Sequence, residues 1–434
     1  REHPTPVAAP NIFAFNTDLA AALGLDLDLP WGDILSGNLV PNGVTPITQA
    51  YAGHQFAHWN PQLGDGRAVL LGEAPLNGIP HDIQLKGSGR THWSRGGDGR
   101  AWIGPVLREY VISEYMHALG IPTTRALAAV TTGEPVLRDT GPLPGAILTR
   151  VARSHVRVGT FQYFAARQDI QALEALKAYT IARHYPGIDT NDDLLIAACQ
   201  AQAQLVAQWM GVGFIHGVMN TDNAHVGGVT IDYGPCAFID GYDPMQVYSS
   251  IDRGGRYAYG NQPQIAAWNM AQFATALLPL EPNQDAAIDR FTKIVNNFGG
   301  QFETAYQATF ARKLGLDPDD PDTRPWVDDV LRIMAGNNLD FTNTFWALAT
   351  GTDVPAACRD WHKNAPPRAH AHTPAIIPRN HVIEAMIDAA VQGDRNAFDA
   401  LGAACTDPFT LPDDPLFHTP PTPTQEVKQT FCGT

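Results

Sequence analysis

Apolar residues between Gly66 and Lys86 fall in short dense runs, Ala68-Val69-Leu70-Leu71-Gly72 and Ile83-Gln84-Leu85-Lys86. The turn-forming Pro75-Leu76-Asn77-Gly78 separates them, and the pattern predicts a pair of strands. The period then changes. Over residues 105–119 the apolar positions are Val106, Ile112, Tyr115, Met116 and Leu119, the spacing of an amphipathic helix that Gly120 and Pro122 close. Strands are predicted again at Ala126–Thr131, Ala146–Val151 and Val156–Phe161, and a short helix over 12–24 that ends at Gly24. From about residue 168 the pattern is helical. Asp192–Met210 is the clearest case, with further helices expected at 262–278, 284–313, 326–335 and 380–402.

A strand-rich first third with one embedded helix, followed by a helical remainder, predicts an α+β fold of two lobes with a cleft between them. The expected division is 1–165 and 166–434. No internal repeat is visible. Asp317-Pro318-Asp319-Asp320-Pro321-Asp322 reads as a solvated loop and helix start, because it lacks the spacing and glycine of a calcium loop. Residues 411–424 are rich in Pro and Thr and read as extended.

Composition narrows the functional classes. The 434-residue chain is 44% hydrophobic, enough for a large core, and carries a formal net charge of −15. That charge argues against non-specific nucleic-acid binding. Arg67, Lys86, Arg90, Arg95, Arg100, Arg108, Arg150, Arg153 and Arg157 nevertheless crowd the first third, where a small anionic ligand could be held. No apolar run is long enough to span a bilayer, and residues 1–10 lack a secretory pattern, though the initiator Met is also missing. The five cysteines, at 199, 236, 358, 405 and 432, form no CxxC pair, which suggests a reducing compartment. A monomer in a bacterial cytoplasm is expected, with a mitochondrial location left open.

The chemistry concentrates in Gly217-Val218-Met219-Asn220-Thr221-Asp222-Asn223 and Ile231-Asp232-Tyr233-Gly234, joined by the strand-like Val226–Ile231. Phosphotransfer sites need an Asp to orient or accept a proton, an Asn to hold a metal, and a second Asp to hold metal on the phosphates. A turn with two capping Asp residues would look the same locally. Lys86 at a strand end and Glu109 on the next helix add the pairing in which a helix carboxylate holds a phosphate-binding lysine. Lys86 alone could equally be a surface lysine. Three glycine-rich turns with cationic neighbours, at 64–67, 86–90 and 96–100, suit close approach of backbone N–H groups to phosphates. Neither a Walker A loop nor a Rossmann glycine fingerprint is present. Arg150 and Arg157 flank Ser154-His155 and could grip a polyphosphate. Ser154 and His155 would point to opposite faces of a strand, which argues against a nucleophile–base pair. His362, His370 and His372 lack ligand partners at metal spacing.

These segments, with Tyr51-Ala52-Gly53-His54-Gln55-Phe56, Leu63–Arg67, Leu85–Gly89, Gly97–Arg100, Arg108-Glu109-Tyr110, Leu119–Thr123, Ser154–Arg157, His216–Asn223, Asp232–Pro235 and Gly255-Arg256-Tyr257, occur in order over residues 50–270. In this the chain resembles the selenoprotein O family, protein-kinase-like pseudokinases that act as protein adenylyltransferases. The resemblance implies a bilobal protein-kinase-like fold that binds ATP inverted relative to ordinary kinases. AMP then passes to a Ser, Thr or Tyr hydroxyl of a protein substrate and pyrophosphate leaves. It implies that Gly64, Gly66, Arg67, Lys86, Asp98, Gly99, Arg150, Arg157 and Asp232 meet the nucleotide. By the same resemblance, Glu109 holds Lys86, Asn223 and Asp232 bind Mg²⁺ or Mn²⁺, and Asp222 is the general base. Spacing alone does not separate AMP transfer from transfer of the γ-phosphoryl group, or from a nucleotide-binding scaffold. The family also carries a Cys or selenocysteine near its C-terminus, matched by Cys432, which some bacterial members pair with a second Cys. Tyr248 stands where that partner would be, and Cys236 is the nearby thiol.

Overall fold

The computed structural model describes residues 1–366 and 372–431. Its first part is built on an antiparallel sheet that has six strands among the described residues. The order is Asn11–Phe15, Arg125–Arg138, Gly141–Ala152, Ile79–Lys86 and Ala68–Leu76, with the short Ala101–Trp102 also pairing Gly141–Ala152. Ala68–Leu76 and Ile79–Lys86 form a hairpin whose two-residue loop is Asn77-Gly78, both at positive φ. That is the turn geometry whose twist suits adjacent strands, and Asn and Gly tolerate it best. The strand therefore runs through Pro75-Leu76, and the turn is shorter than the composition suggests.

Register decides what the sheet presents. Gln84 lies opposite Arg150, and Lys86 opposite Leu148. Cross-strand partners share a face, and residues two apart on a strand share it too. Gln84, Lys86 and Arg150 therefore project from the same side. Helix Ile103–Ala118 packs on this sheet through buried Val106, Leu107, Val111, Ile112, Tyr115 and Met116, and carries Glu109 among them. A second, smaller core, including Leu19, Ile34, Leu127, Ile147 and Val151, covers the other face.

The remainder is mostly helical and centres on Asn191–Gly211, whose N-cap Thr190 side chain accepts from the Asp193 N–H. It packs against Phe298–Leu314 and Gln262–Leu277. One continuous core runs from helix Ile103–Ala118 through this helical region. No helix among the described residues is long and apolar enough to cross a membrane.

Several expectations are corrected. Residues 12–24 are not one helix. Asn11–Phe15 is an edge strand on Arg125–Arg138, and Asn16 then caps helix Thr17–Ala22. Val156–Phe161 is not a strand, because Val158, Phe161 and Ala165 fall at helical spacing and build helix Val158–Ala166. Val226–Ile231 turns at Gly227-Gly228, Gly228 with φ +65°, and keeps only a bridge from Thr230 to Thr123. The helices expected over 284–313 and 380–402 each break in two, at Asn297 and at Gln392-Gly393-Asp394. Gly393 at φ +87° provides the second break. Helix Ile170–His184, capped by Asp169, lies in the region expected to be helical from about residue 168, without bounds of its own in that expectation.

Lys313 on helix Phe298–Leu314 is buried with no carboxylate partner among the described residues. Its ammonium donates to Thr373 Oγ1 at 2.8 Å and lies 4.4 Å from the centre of the Phe345 ring. Burial pulls its pKa down to about 7 from an ordinary 10.5. Between these values the unfolded chain holds the proton and the folded chain does not, so Lys313 lowers stability most at pH 7 and below. Lys313→Met is expected to raise the melting temperature at pH 6.5, with a smaller gain at pH 9, measured by thermal denaturation.

Candidate active site

Sheet and helices meet at a cleft of about 270 Å³. Arg67, Lys86, Arg150 and Arg157 line it from the strand-rich side, and Asn220, Asp222, Asn223 and Asp232 from the other.

Asp232 is where most of the charge converges. Lys86 Nζ donates to its Oδ1 at 3.1 Å, Arg150 Nη2 also reaches Oδ1, and Arg157 Nη2 donates to Oδ2 at 3.1 Å. Burial opposes its charge, yet Arg150, Lys86 and Arg157 hold its carboxyl well below the ordinary value. Its backbone is left-handed, φ +62°, a conformation that costs a non-glycine residue about 1–3 kcal/mol. The surroundings fix it there. Ile231 and Tyr233 are buried on either side, Tyr233 Oη bonds Thr123, and His216 Nε2 donates to the Ile231 carbonyl at 2.9 Å.

Glu109 holds two of the same cations. Lys86 Nζ donates to Oε2 at 2.7 Å and Arg150 Nε to Oε1 at 2.5 Å. Burial again opposes the charge, and Arg150 and Lys86 keep the carboxyl below its usual range. Lys86 itself is pulled down, first by burial and then by Arg150. Arg157 lies 4.5 Å from the Tyr51 ring centre and 3.6 Å from Asp65 Oδ1. Its Nε and Nη1 are buried without a hydrogen-bond partner among the described residues. Buried donors left unused are costly unless a ligand takes them.

Asp222 faces this cluster from the short turn Thr221–Asn223. Its Oδ2 accepts from Gln55 Nε2 at 3.0 Å, while Oδ1 is buried with no partner among the described residues. Burial pushes its pKa up to about 6. Asn223 Nδ2 donates to the Val218 carbonyl at 2.9 Å. That bond leaves the amide oxygen as the remaining acceptor of this cleft-lining side chain.

Gly66 lines the cleft with Arg67, but Gly64, Asp98 and Gly99 do not. A Cβ on Gly64 would lie 2.2 Å from the Trp93 ring, and one on Gly99 2.1 Å from the Gly89 carbonyl oxygen. Asp98 is exposed, pairs with Arg138 at 2.8 Å and accepts from the Arg100 N–H. Ser154 bonds His184, and His155 bonds Asp82, so these neighbours form no nucleophile–base pair. His372 stacks on Phe409, and His370 lies outside the described residues.

The sequence pattern does not single out Asp65, Gln55, Tyr51, Asn220 or His216 individually. Asp65 accepts from the Gln49 N–H and from Gln84, beside Arg157. Its flanking Gly64 and Gly66, already noted as a loop, were the available signal.

Asn223 and Asp232 offer oxygen donors on one cleft, which suits a hard divalent cation. No group of three or more His, Cys, Asp or Glu residues that could hold a metal occurs among the described residues. Phosphate and water oxygens would have to complete the shell. Near the C-terminus, Thr430 is buried, donates from Oγ1 to the Pro235 carbonyl at 2.6 Å, and from its N–H to the Tyr248 carbonyl at 2.7 Å. The tail thus reaches the segment that contains Cys236, whose thiol is fully buried and pushed up to about 12 by burial. Cys432 lies outside the described residues.

The family model described as "Protein adenylyltransferase SelO" matches residues 4–366. A protein of Jannaschia sp. (strain CCS1), named "Protein nucleotidyltransferase YdiU", is 54% identical over 100% of this chain and 96% of its own. Proteins of the same name from Roseobacter denitrificans and Bradyrhizobium diazoefficiens are 52% and 50% identical over the same shares. The chain belongs to the SelO family of protein adenylyltransferases.

Proposed function

We propose that the cleft binds ATP and transfers its AMP moiety to a hydroxyl group of a protein substrate. The two parts of the chain, 1–165 and 166–434, act as the lobes of a protein-kinase-like fold that holds the nucleotide inverted. The observation that carries this reading is the convergence of Lys86, Arg150 and Arg157 on Asp232, facing an unpartnered Asp222 oxygen.

The acceptor oxygen attacks the α-phosphorus as its proton passes to the Asp222 carboxylate. The bond from the α-phosphorus to the bridging oxygen breaks, and pyrophosphate leaves with the electron pair. A base whose pKa lies near the working pH suits this task. The leaving group carries heavy negative charge. Fixed cations in a partly desolvated cleft stabilise it more than water does, because they need no reorganisation as the charge develops. Lys86, Arg150 and Arg157 supply that charge, with Arg67 and Gly66 at the cleft wall. Glu109 keeps Lys86 and Arg150 aimed into it. Asn223 and Asp232 would hold Mg²⁺ or Mn²⁺, which neutralises phosphate charge when bound. Gly64 and Gly99 shape the loops from outside the lining.

With ATP labelled separately on the α- and γ-phosphates, a divalent metal and a crude protein extract, label is expected on protein from the α-position only. Arrival from the γ-position alone would make the enzyme a kinase. Asp232→Ala removes the shared counter-charge and a metal ligand, and is expected to lower transfer by about 10²–10³-fold. Full activity in folded Asp232→Ala would remove this site assignment. Glu109→Gln keeps the shape and only loosens Lys86 and Arg150. A loss of about tenfold, or ~1.4 kcal/mol, is expected in the same assay.

A further inference from the structure

Residues 53–60 form a small hairpin, Gly53–Gln55 with His58–Asn60, that sits on the Asp222 turn. Its two-residue loop, Phe56-Ala57, has φ of +49° and +67°. Both loop positions of such a turn require positive φ, which Asn and Gly normally supply. Phe and Ala accept it here at a cost, so contacts elsewhere must impose it.

Three hydrogen bonds tie the hairpin to one turn. The His54 N–H donates to Thr221 Oγ1 at 2.7 Å, Gln55 Nε2 to Asp222 Oδ2 at 3.0 Å, and the Phe56 N–H to Asn220 Oδ1 at 3.1 Å. Three consecutive residues of the hairpin thus meet three consecutive residues of the turn. The fit is close. A Cβ on Gly53 would lie 2.8 Å from Asp222 Oδ1, and one on Gly159 would lie 2.2 Å from the Ala52 carbonyl oxygen. Tyr257 Oη also donates to Asn220 Oδ1, at 2.6 Å, and its ring packs 5.0 Å from that of Phe56.

We propose that Gln55 is a positioning residue for the transfer reaction: its side-chain amide holds Asp222 Oδ2 and so fixes the orientation of the carboxylate that takes the acceptor proton. An ionised carboxylate only accepts, so the NH₂ end of Gln55 must face it. With Oδ2 tethered and Oδ1 packed against the backbone of Gly53, where no Cβ would fit, the carboxylate has little freedom to rotate. A base held in one orientation meets its proton within hydrogen-bond reach, which a free carboxylate does only part of the time. Gln55 lines the cleft, and its side-chain amide donates to Asp222. The proposal rests on Asp222 being the proton acceptor.

The test uses Gln55→Leu, which removes the donor and keeps the bulk, and Gln55→Glu, which keeps the shape and removes the donating amide. Each is made in the wild type and in Asp222→Asn, with kcat from α-labelled ATP, ATP affinity by calorimetry, and folding by thermal melting. Both variants are expected to lower kcat about 10- to 100-fold while ATP affinity stays within about twofold. In the Asp222→Asn background they are expected to add less than about twofold, because the residue through which Gln55 acts is already disabled. A wild-type kcat in either variant, an equal fall in ATP affinity, or the full loss repeated in Asp222→Asn would overturn the proposal. Failure of the underlying reading looks different: Asp222→Asn would itself turn over at the wild-type rate.

Discussion

A single carboxylate, Asp232, shares its two oxygens among three cations drawn from the sheet and the segment that follows it. A buried charge is tolerated only when it is paired and hydrogen-bonded, and removing one partner leaves the others exposed to the full desolvation cost. Lys86, Arg150 and Arg157 are therefore held in place by Asp232 and Glu109 before any phosphate arrives. The cluster is balanced without being saturated, since Arg157 keeps two buried nitrogens without hydrogen-bond partners among the described residues. A polyanion entering the cleft completes a site whose donors are already oriented, which is the arrangement that stabilises developing charge best.

The backbone makes that convergence possible. The Gln84–Arg150 register sets Arg150 on the same face as Lys86, and the helix packed on that sheet brings Glu109 between them. A one-residue slip of either strand would turn these side chains to the opposite face. On the other side of the cleft, Asp232 reaches in because its backbone is left-handed, and the buried Ile231 and Tyr233 and the ring of His216 hold that geometry. The strain is local, and the packing around it is dense.

Much of this was legible in the chain. A Lys closing a strand, a Glu on the next helix and Asp222, Asn223 and Asp232 in order could be picked out, and Lys86, Asp222, Asn223, Asp232, Arg150 and Arg157 line one cleft, with Glu109 bonded to Lys86. Regular elements with strong periodicity, such as Asn191–Gly211, were also readable. Less visible was what depends on distant contacts. Gln55 and Asp222 are 167 positions apart, and nothing in the local pattern of residues 51–60 shows that they meet. Asp98 sits in a Gly-Asp-Gly turn whose local pattern does not show that its carboxylate pairs with Arg138, 40 positions away. A single Gly393 at positive φ within a long apolar pattern decides where one expected helix breaks.

The pairing at Asp232 has a thermodynamic consequence. Lys86, Arg150 and Arg157 occupy both oxygens, so a divalent cation held there would compete with three attached charges, and phosphate oxygens would supply the further ligands it needs. Titration of Mn²⁺ followed by electron paramagnetic resonance, with and without an ATP analogue resistant to cleavage between the α- and β-phosphates, tests this directly. Weak Mn²⁺ binding to the protein alone, and a tight site with the analogue that Asp232→Ala abolishes, is the predicted result. Tight Mn²⁺ binding without nucleotide, or a nucleotide-dependent site unchanged in Asp232→Ala, would contradict it.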